Sequence, residues 1–407
     1  MRISGTNQES NQVYNRSLVL RSIQHVRHCS RVELAKWTGL KQATISHIIN
    51  DFLQWRLVEE TGSFSGTKGR RTIGVQLSDE KYRVIGFRLT RRHYMIGVFT
   101  LGCNEVGDRI TVDITDSSPE IIIESVCDKI NEIIAAHSAY RFLAVGVSVP
   151  GPYYQDSGEI ALISGFPGWR NIKIREIMQS RIAIPVIVDH DANAGVLAES
   201  TLVEGRDIYG TMVYVSAGQG IGAGIVNNGE VYTGAFGIAG EIGHTSVDLH
   251  GPLCECGRRG CLTLHASTVA LTNQVRAKLG RDELSFKEVV PLIQNGCAEA
   301  VEAFANTMKY MSAGIINLIY TYNPNCIIIG DALSSIGQPI LDELNRALQT
   351  MNVARLRNSV KIELARLGFD SAYIGAALIA TRYVFDNVIT MCNNIDRDDQ
   401  DRSDRRV

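Results

Sequence analysis

Four side chains able to share one metal ion fall within a single short stretch, "GEIGHTSVDLHGPLCECGRRGC", Gly240 to Cys261. Cys254, Cys256 and Cys261 lie within eight residues of one another, in a chain whose nine cysteines are otherwise scattered, and His244 precedes them by a short loop. Three thiolates and one imidazole are a common tetrahedral set for structural Zn²⁺. Gly257 and Gly260 let the chain turn back so that Cys261 can reach the ion. Four protein donors leave no position for water, so the expectation is one structural zinc per chain. A disulfide or unrelated free thiols are the competing readings, and His250 and His265 are alternative fourth ligands. Cys254 and Cys256 are too close in sequence to pair comfortably. Cys103, Cys127 and Cys326 stand singly in apolar contexts, which suggests reduced thiols and a cytoplasmic protein.

A second kind of chemistry sits where apolar runs end. In α/β folds ligands bind beyond the carboxyl ends of strands. The segments "VPGP" (Val149–Pro152), "VDHDAN" (Val188–Asn193) and "SAGQGIGAG" (Ser216–Gly224) have that placement. Asp191 falls at a strand-to-helix switch, where a carboxylate can accept a hydrogen bond from a ligand hydroxyl; a helix N-cap is the plainer reading. Glu241 is a second such carboxylate.

The elements that must carry these groups follow from the pattern. A chain of 407 residues is too long for one ordinary core, so two or three domains are expected. No apolar run approaches the length of a membrane span, and the polar first residues do not read as a signal peptide. From Tyr82, strand-like runs ("YRVIGFRLT", "YMIGVFTLG", "DRITVDIT", "FLAVGVSVPGP", "PNCIIIGDALS") alternate with helical patterns such as "SPEIIIESVCDKINEIIAAH". That alternation implies an α/β body over about 82–390. The charged tail, 395–407, should be disordered.

Charge divides the chain. Residues 1–77 hold eleven Lys/Arg against five Asp/Glu, a balance of +6, which leaves −8 for the rest of a chain with net charge −2. A basic head on an acidic body points to a polyanion partner. "NRSLVLRSIQHV" puts Leu18, Ile23 and Val26 on one helical face. "SRVELAKWTG" opens on Ser30 with Glu33 as a capping box and closes at Gly39. "KQATISHIINDFLQWRLV" follows after a tight turn, with Ile45, Ile48, Ile49, Phe52 and Leu53 on one side and Lys41, Gln42, Thr44, Ser46, His47 and Asn50 on the other. This is a helix-turn-helix layout, and Lys41, Gln42, Thr44, Ser46 and His47 are the right types for base or phosphate contacts. A helical hairpin with a solvated polar face is the alternative. The following "LVEETGSFSGTKGRRTIGVQL" reads as a wing whose tip carries Lys68, Arg70 and Arg71 among glycines, suited to phosphates or a narrow minor groove.

Taken together, "GEIGH…CxCGxxGC", "PGP", "HDANA", "GQGIGAG" and "NPNCIIIG" resemble the ROK family of repressors and sugar kinases, over about residues 15–385. With its winged helix the chain is similar to the repressor branch. The resemblance implies an actin-like, sugar-kinase-type fold: two α/β lobes around a sugar cleft, one wall shaped by the zinc loop. It implies sugar-binding roles for Gly151, His190, Asp191, Glu241 and His244, the histidine acting through its non-metal nitrogen. In family kinases the aspartate matching Asp191 is the general base, and asparagine usually stands where His190 does here.

Two departures set the expected function. The first phosphate-binding turn of the kinases carries glycines and a carboxylate; the matching "FRLTRRHY" has neither, and carries Arg88, Arg91 and Arg92. Side chains would fill the space where backbone N–H groups should meet phosphate. The adenosine-side turn, usually a glycine pair, is Gly330–Asp331, and an acid there disfavours a nucleotide. The expectation is therefore a non-enzymatic repressor of carbohydrate genes, binding operator DNA as a homodimer or tetramer and released by a sugar or sugar phosphate. An active kinase with a fused DNA-binding head, and a repressor governed by a protein docking on the zinc loop, are the alternatives. Thr263 replaces a family glutamate that contacts sugar hydroxyls, which leaves the identity of the sugar open.

Overall fold

A computed structural model describes residues 8–65, 71–115, 117–161, 165–166, 168–207 and 210–392. The head begins with helix α1 (Gln8–Val26) and the short strand β1 (Cys29–Ser30), followed by α2 (Arg31–Thr38) and α3 (Gln42–Gln54). The capping box is formed: the Ser30 hydroxyl accepts from the Glu33 N–H at 3.2 Å, and the Glu33 carboxylate accepts from the Ser30 N–H at 2.9 Å. Gly39 ends α2 at φ +71°, a left-handed conformation that glycine adopts without penalty. Strands β2 (Val58–Ser65) and β3 (Arg71–Leu77) pair antiparallel, with β1 on the far side of β3, so a wing follows the helices. Its tip, with Lys68 and Arg70, lies outside the described residues, as does the tail 395–407.

Helix α1 departs from the expected pattern. It starts seven residues earlier than Asn15, and Val19, Leu20 and Ile23 form its core face while Leu18 and Val26 are only half-buried. The reason is that α1 packs on two partners, the other head helices and the body. Polar residues are buried on it because they find partners there. The Ser17 hydroxyl donates to Asp386 at 2.5 Å, and the Gln24 amide donates to the Leu101 carbonyl at 2.7 Å. One apolar cluster accordingly runs from Leu20, Ile49 and Phe52 of the head to Tyr82, Phe99 and Phe385 of the body.

The first lobe is a five-stranded sheet. Strands β4 (Tyr82–Leu89), β5 (His93–Phe99) and β6 (Glu105–Asp113) form an antiparallel meander, helix α4 (Pro119–Ala136) crosses over, and β7 (Arg141–Val149) and β8 (Val186–His190) add parallel to β4, giving the order β8-β7-β4-β5-β6. Near-continuous apolar runs such as "FLAVGVSV" suit strands buried on both faces. Helix α5 (Asp191–Leu202) leads to the second lobe, where β9 (Thr211–Ala217), β10 (Ile221–Asn227) and β11 (Glu230–Val231) pair antiparallel. Helices α6 (Thr268–Leu279), α7 (Phe286–Gln294) and α8 (Ala298–Tyr322) cover this lobe; β12 (Cys326–Gly330), α9 (Gln338–Leu348) and β13 (Lys361–Leu364) complete it, in the order β11-β10-β9-β12-β13. Helix α10 (Ser371–Asp386) then returns to pack on β4, β7 and α5.

A buried ion network fixes this return. Glu199 on α5 has a fully buried side chain and accepts from Arg206 at 3.1 Å, the Leu367 N–H at 2.8 Å and the Ser371 hydroxyl at 3.1 Å. Arg206 also donates to Glu363 on β13 at 2.8 Å. Among the described residues no helix is long and apolar enough to cross a membrane.

Candidate functional site: a two-chambered cleft, a metal loop and an exposed helix face

The cleft is built where strands of both lobes end. β4 and β5 present the turn Thr90–Arg92, β7 ends in Pro150–Gly151, and β8 runs straight into α5 at His190–Asp191. From the other lobe come the turn Gly218–Gly220 between β9 and β10, the short 3₁₀ turn Ile242–His244 following Glu241, and Asp331 after β12. Gly151, His190, Asp191, Glu241 and His244 all line one small chamber of about 60 Å³, together with Thr263, Arg91 and Asp331. Such a chamber has room for roughly two waters. Glycine is required at 151, because a Cβ there would stand 2.5 Å from His190 Cδ2.

Asp191 is the first residue of α5, and His190 occupies the cap position without a side-chain cap bond. The plain N-cap reading of Asp191 is therefore replaced by a carboxylate facing the chamber. His190 Nε2 lies 3.2 Å from Asp191 Oδ1 and 3.9 Å from Glu241 Oε1. Burial, the largest single effect, pulls the His190 imidazole down, but the combined fields of Asp191, Glu241 and Asp189 outweigh it and raise it above the usual histidine value. Burial likewise raises Glu241, with His190 opposing and Asp191 adding. The chamber thus gathers two carboxylates around an imidazole, an arrangement suited to hydroxyl-rich ligands.

Two arginines of "FRLTRRHY" lie in the cleft. Arg88, 3 % exposed, reaches across the cleft from β4 to Asp331 at 3.3 Å, donates to the Phe369 carbonyl at 2.5 Å and lies 4.6 Å over the Phe369 ring. Asp331 is held in turn by the Ser216 hydroxyl at 3.1 Å and the Ala332 N–H at 2.6 Å. Arg91 lies against the β9–β10 turn, its Nη2 2.9 Å from where a Cβ on Gly220 would stand. Burial lowers its guanidinium, and Asp191, Asp331 and Glu255 offset that in part. The glycines of "GQGIGAG" have a packing role as well: a Cβ on Gly224 would meet the Ala192 carbonyl oxygen at 2.1 Å, so β10 lies directly on α5.

The three cysteines and His244 do converge. His244 Nδ1 is 3.6 Å from Cys254 Sγ, Cys256 Sγ is 3.6 Å from Cys261 Sγ, and the four donor atoms lie within 4.8 Å of one another. A tetrahedron with metal–sulfur bonds of about 2.3 Å has edges of about 3.8 Å, so these atoms fit a single ion and are far too long for a disulfide. Burial holds the His244 imidazole below its usual value, with Glu255 opposing, which favours the neutral form a metal needs. Of the spare histidines, His250 is exposed, and His265 stacks on Tyr310 at a centroid distance of 4.2 Å; neither joins the cluster. The cluster can hold a metal ion, and because Nδ1 faces the cysteines the ring offers Nε2 elsewhere.

On the head, Lys41, Gln42, His47 and Asn50 are exposed and Thr44 and Ser46 half-exposed on α3, while Ile45, Ile48, Ile49 and Phe52 are buried. α1 braces this helix through the Arg16–Asp51 ion pair at 2.5 Å. Arg71 begins β3.

The ROK family model matches residues 85–383. The chain belongs to the ROK family. It is 27 % identical over 380 residues to the xylose repressor of Bacillus spizizenii, covering 92 % of this chain and 96 % of that one. A crystal structure of a ROK family transcriptional regulator, a homologue of the E. coli MLC protein, superimposes with a TM-score of 0.79 at 24 % identity, over 94 % of this chain and 99 % of that one. A ROK family glucokinase from Streptomyces griseus, in complex with glucose and AMPPNP, covers 72 % of this chain and 98 % of its own at a TM-score of 0.65 and 24 % identity. The repressor relatives thus extend over the head, and this ROK chain has the two-lobed α/β architecture that its motifs imply.

Sequence reasoning missed one part of the cleft. A second chamber of about 470 Å³ adjoins the first and is walled partly by Arg276 on α6 and Phe286 and Lys287 at the start of α7. Basic residues on amphipathic helices look like ordinary solvated faces in a sequence, so nothing there marked them.

Proposed function

We propose that this protein is a DNA-binding transcriptional repressor whose hold on its operator is set by a small carbohydrate-type ligand in the cleft, and that it does not transfer phosphoryl groups. The observation that carries this reading is the Arg88–Asp331 pair. Phosphoryl transfer depends on a backbone cradle for the nucleotide phosphates and on carboxylates free for magnesium. Here a buried guanidinium fills the first position and neutralises the acid beside it. Asp191, Glu241, His190, Gly151 and His244 then serve ligand recognition, and a structural zinc on His244, Cys254, Cys256 and Cys261 fixes one wall.

DNA recognition falls to Lys41, Gln42, Thr44, Ser46 and His47 on α3 and to Lys68, Arg70 and Arg71 on the wing. Two subunits would place two such helices on half-sites a whole number of helical turns apart. The body is linked to the head by Ser17 and Arg21 of α1, which hold Asp386 at 2.5 and 2.8 Å. A ligand releases DNA only if it binds the DNA-free arrangement more tightly.

The test is anisotropy of labelled DNA from the protein's own promoter, titrated with full-length protein and then with a panel of sugars and sugar phosphates. Binding released by one member of the panel is the expected result. Ligand-dependent ATP hydrolysis exceeding that of an Asp191→Asn control would overturn the reading in favour of a kinase. DNA that no small molecule releases would favour control by a protein partner at the metal loop.

A further inference from the structure

Away from the cleft, another cavity of about 450 Å³ opens where the head rests on the body. Helix α1 lines it with Tyr14, Leu18 and Val26, and α2 adds Trp37. From the body come Thr201 near the end of α5, Gly229 and Glu230 at the β10–β11 hairpin, and Arg382 of α10. Head, first lobe and second lobe thus share its walls. Small-molecule sites occupy about 300–1,000 Å³, favour domain junctions, and combine apolar walls with a few placed polar groups. Trp37 and Tyr14 are 43 % and 66 % exposed, so two aromatic rings stand partly in water on this lining.

The cations on these walls are not equally served. Arg21 holds Glu230 at 2.6 Å and Asp386 at 2.8 Å. Arg206 has Glu199 and Glu363. Arg382 donates to the Gly229 carbonyl at 3.1 Å, while Glu230, already engaged by Arg21, stands 3.9 Å from its Nη1. Burial, with Arg21 adding, pushes the Arg382 guanidinium down to about 10, against the pull of Glu230 and Asp386. A guanidinium carries five N–H donors in a planar fork that matches a carboxylate. A buried one whose close partner is a carbonyl calls for an anion. A single negative charge is the match, because a phosphate dianion would bring its second charge against Glu230 and Asp207 on the same lining.

From this we infer that the seam between head and body is a second ligand site, separate from the cleft, for a small aromatic carboxylate: the carboxylate on Arg382 and the ring against Trp37, Leu18 and Val26. Such an occupant touches the head and both lobes at once, so its affinity depends on how the head is set on the body. It is therefore an effector of DNA binding in its own right. Only that last consequence rests on the DNA-binding reading; the site itself stands on its walls.

Isothermal titration of the full-length protein at low salt tests it with phenylacetate, 3-phenylpropionate and indole-3-acetate, their amides and phenyl phosphate serving as comparators. At least one carboxylate should bind about tenfold or more tightly than its amide, the margin of a charge-assisted bond, and more tightly than phenyl phosphate. Arg382→Gln should shrink that margin to below about threefold. Trp37→Ala should weaken the carboxylate by about threefold or more through the lost ring contact; the position is exposed, so this variant decides the matter if the buried change costs the fold. Promoter DNA should shift the carboxylate's affinity, and the carboxylate should shift that of DNA by the same factor. Carboxylates no better than their amides, tighter binding of phenyl phosphate, or an affinity unmoved in either folded variant would each overturn the site. Affinity indifferent to bound DNA would overturn its regulatory role, whereas carboxylate binding by a protein that ignores its promoter supports the site and sinks the DNA-binding reading instead.

Discussion

The bond between Arg88 and Asp331 ties the first lobe to the second across the cleft, and its strength can be worked out from the structure. At 3.3 Å and an effective dielectric of about 20, the Coulomb attraction is about 5 kcal/mol. Arg88 is 3 % and Asp331 12 % exposed, so removing both from water offsets a large part of that gain. Each ion also keeps other partners when the pair is broken: Arg88 keeps the Phe369 carbonyl, and Asp331 keeps Ser216 and the Ala332 N–H. A coupling energy of about 2 kcal/mol remains as the expected value. The perturbation is a double-mutant cycle of Arg88→Met, which preserves the apolar stem, and Asp331→Asn, which preserves shape. Either single change strands a partner and should cost about 2–3 kcal/mol, and the double variant should cost clearly less than their sum. The assay is urea unfolding, read as midpoint shifts at constant slope. Additivity to within about 0.5 kcal/mol would show that the two ions do not act as a pair and would refute the argument that Asp331 is neutralised in the cleft.

Other outcomes follow from the same structure. Glu199→Ala should lower stability by about 3–5 kcal/mol, because it takes one of two carboxylate partners from the buried Arg206 and removes an acceptor from the Leu367 N–H and the Ser371 hydroxyl; urea titration reads it, and a loss under about 1 kcal/mol would contradict the buried network. Purified protein should carry about one zinc per chain, lost in Cys256→Ser; metal content by mass spectrometry unchanged in that variant would exclude Cys256 as a ligand. His190 is raised in the folded state, so its contribution is complete below the ordinary histidine value and fades as pH rises through the raised one; Glu241, raised mainly by burial, acts in the same sense at lower pH. The melting temperature of the wild type relative to His190→Asn should therefore be highest near about pH 6 and decline toward about pH 9; a constant difference would mean that His190 stays neutral throughout.

What the sequence disclosed depended on how local the signal was. The metal loop was readable because all four donors come from one short segment, and the capping box at Ser30–Glu33 because a cap is a three-residue device. The strand ends at Gly151 and Asp191 were readable because apolar runs stop there. The burial pattern of α1 was not, because it depends on α10, which lies more than three hundred residues away; Ser17 and Gln24 look like solvent-facing residues until Asp386 and Leu101 arrive.

The same limit explains the cleft. The composition of "FRLTRRHY" showed three arginines and no glycine, but not where the arginines go. Their destinations are set by Asp331, Phe369 and Gly220, each contributed by a different part of the chain. Arg276 and Lys287 become part of a cavity wall only because α6 and α7 of the second lobe are set opposite the β4–β5 turn of the first. Charge complementarity between lobes is therefore a tertiary property. The arginine-rich turn is written in one segment, whereas the cationic chamber required two lobes to be brought face to face. It follows that the arginines at 88 and 91 cannot be judged by their own segment: reverting "TRRH" to a glycine turn would still leave Asp331, Arg276 and Lys287 shaping the opposite wall.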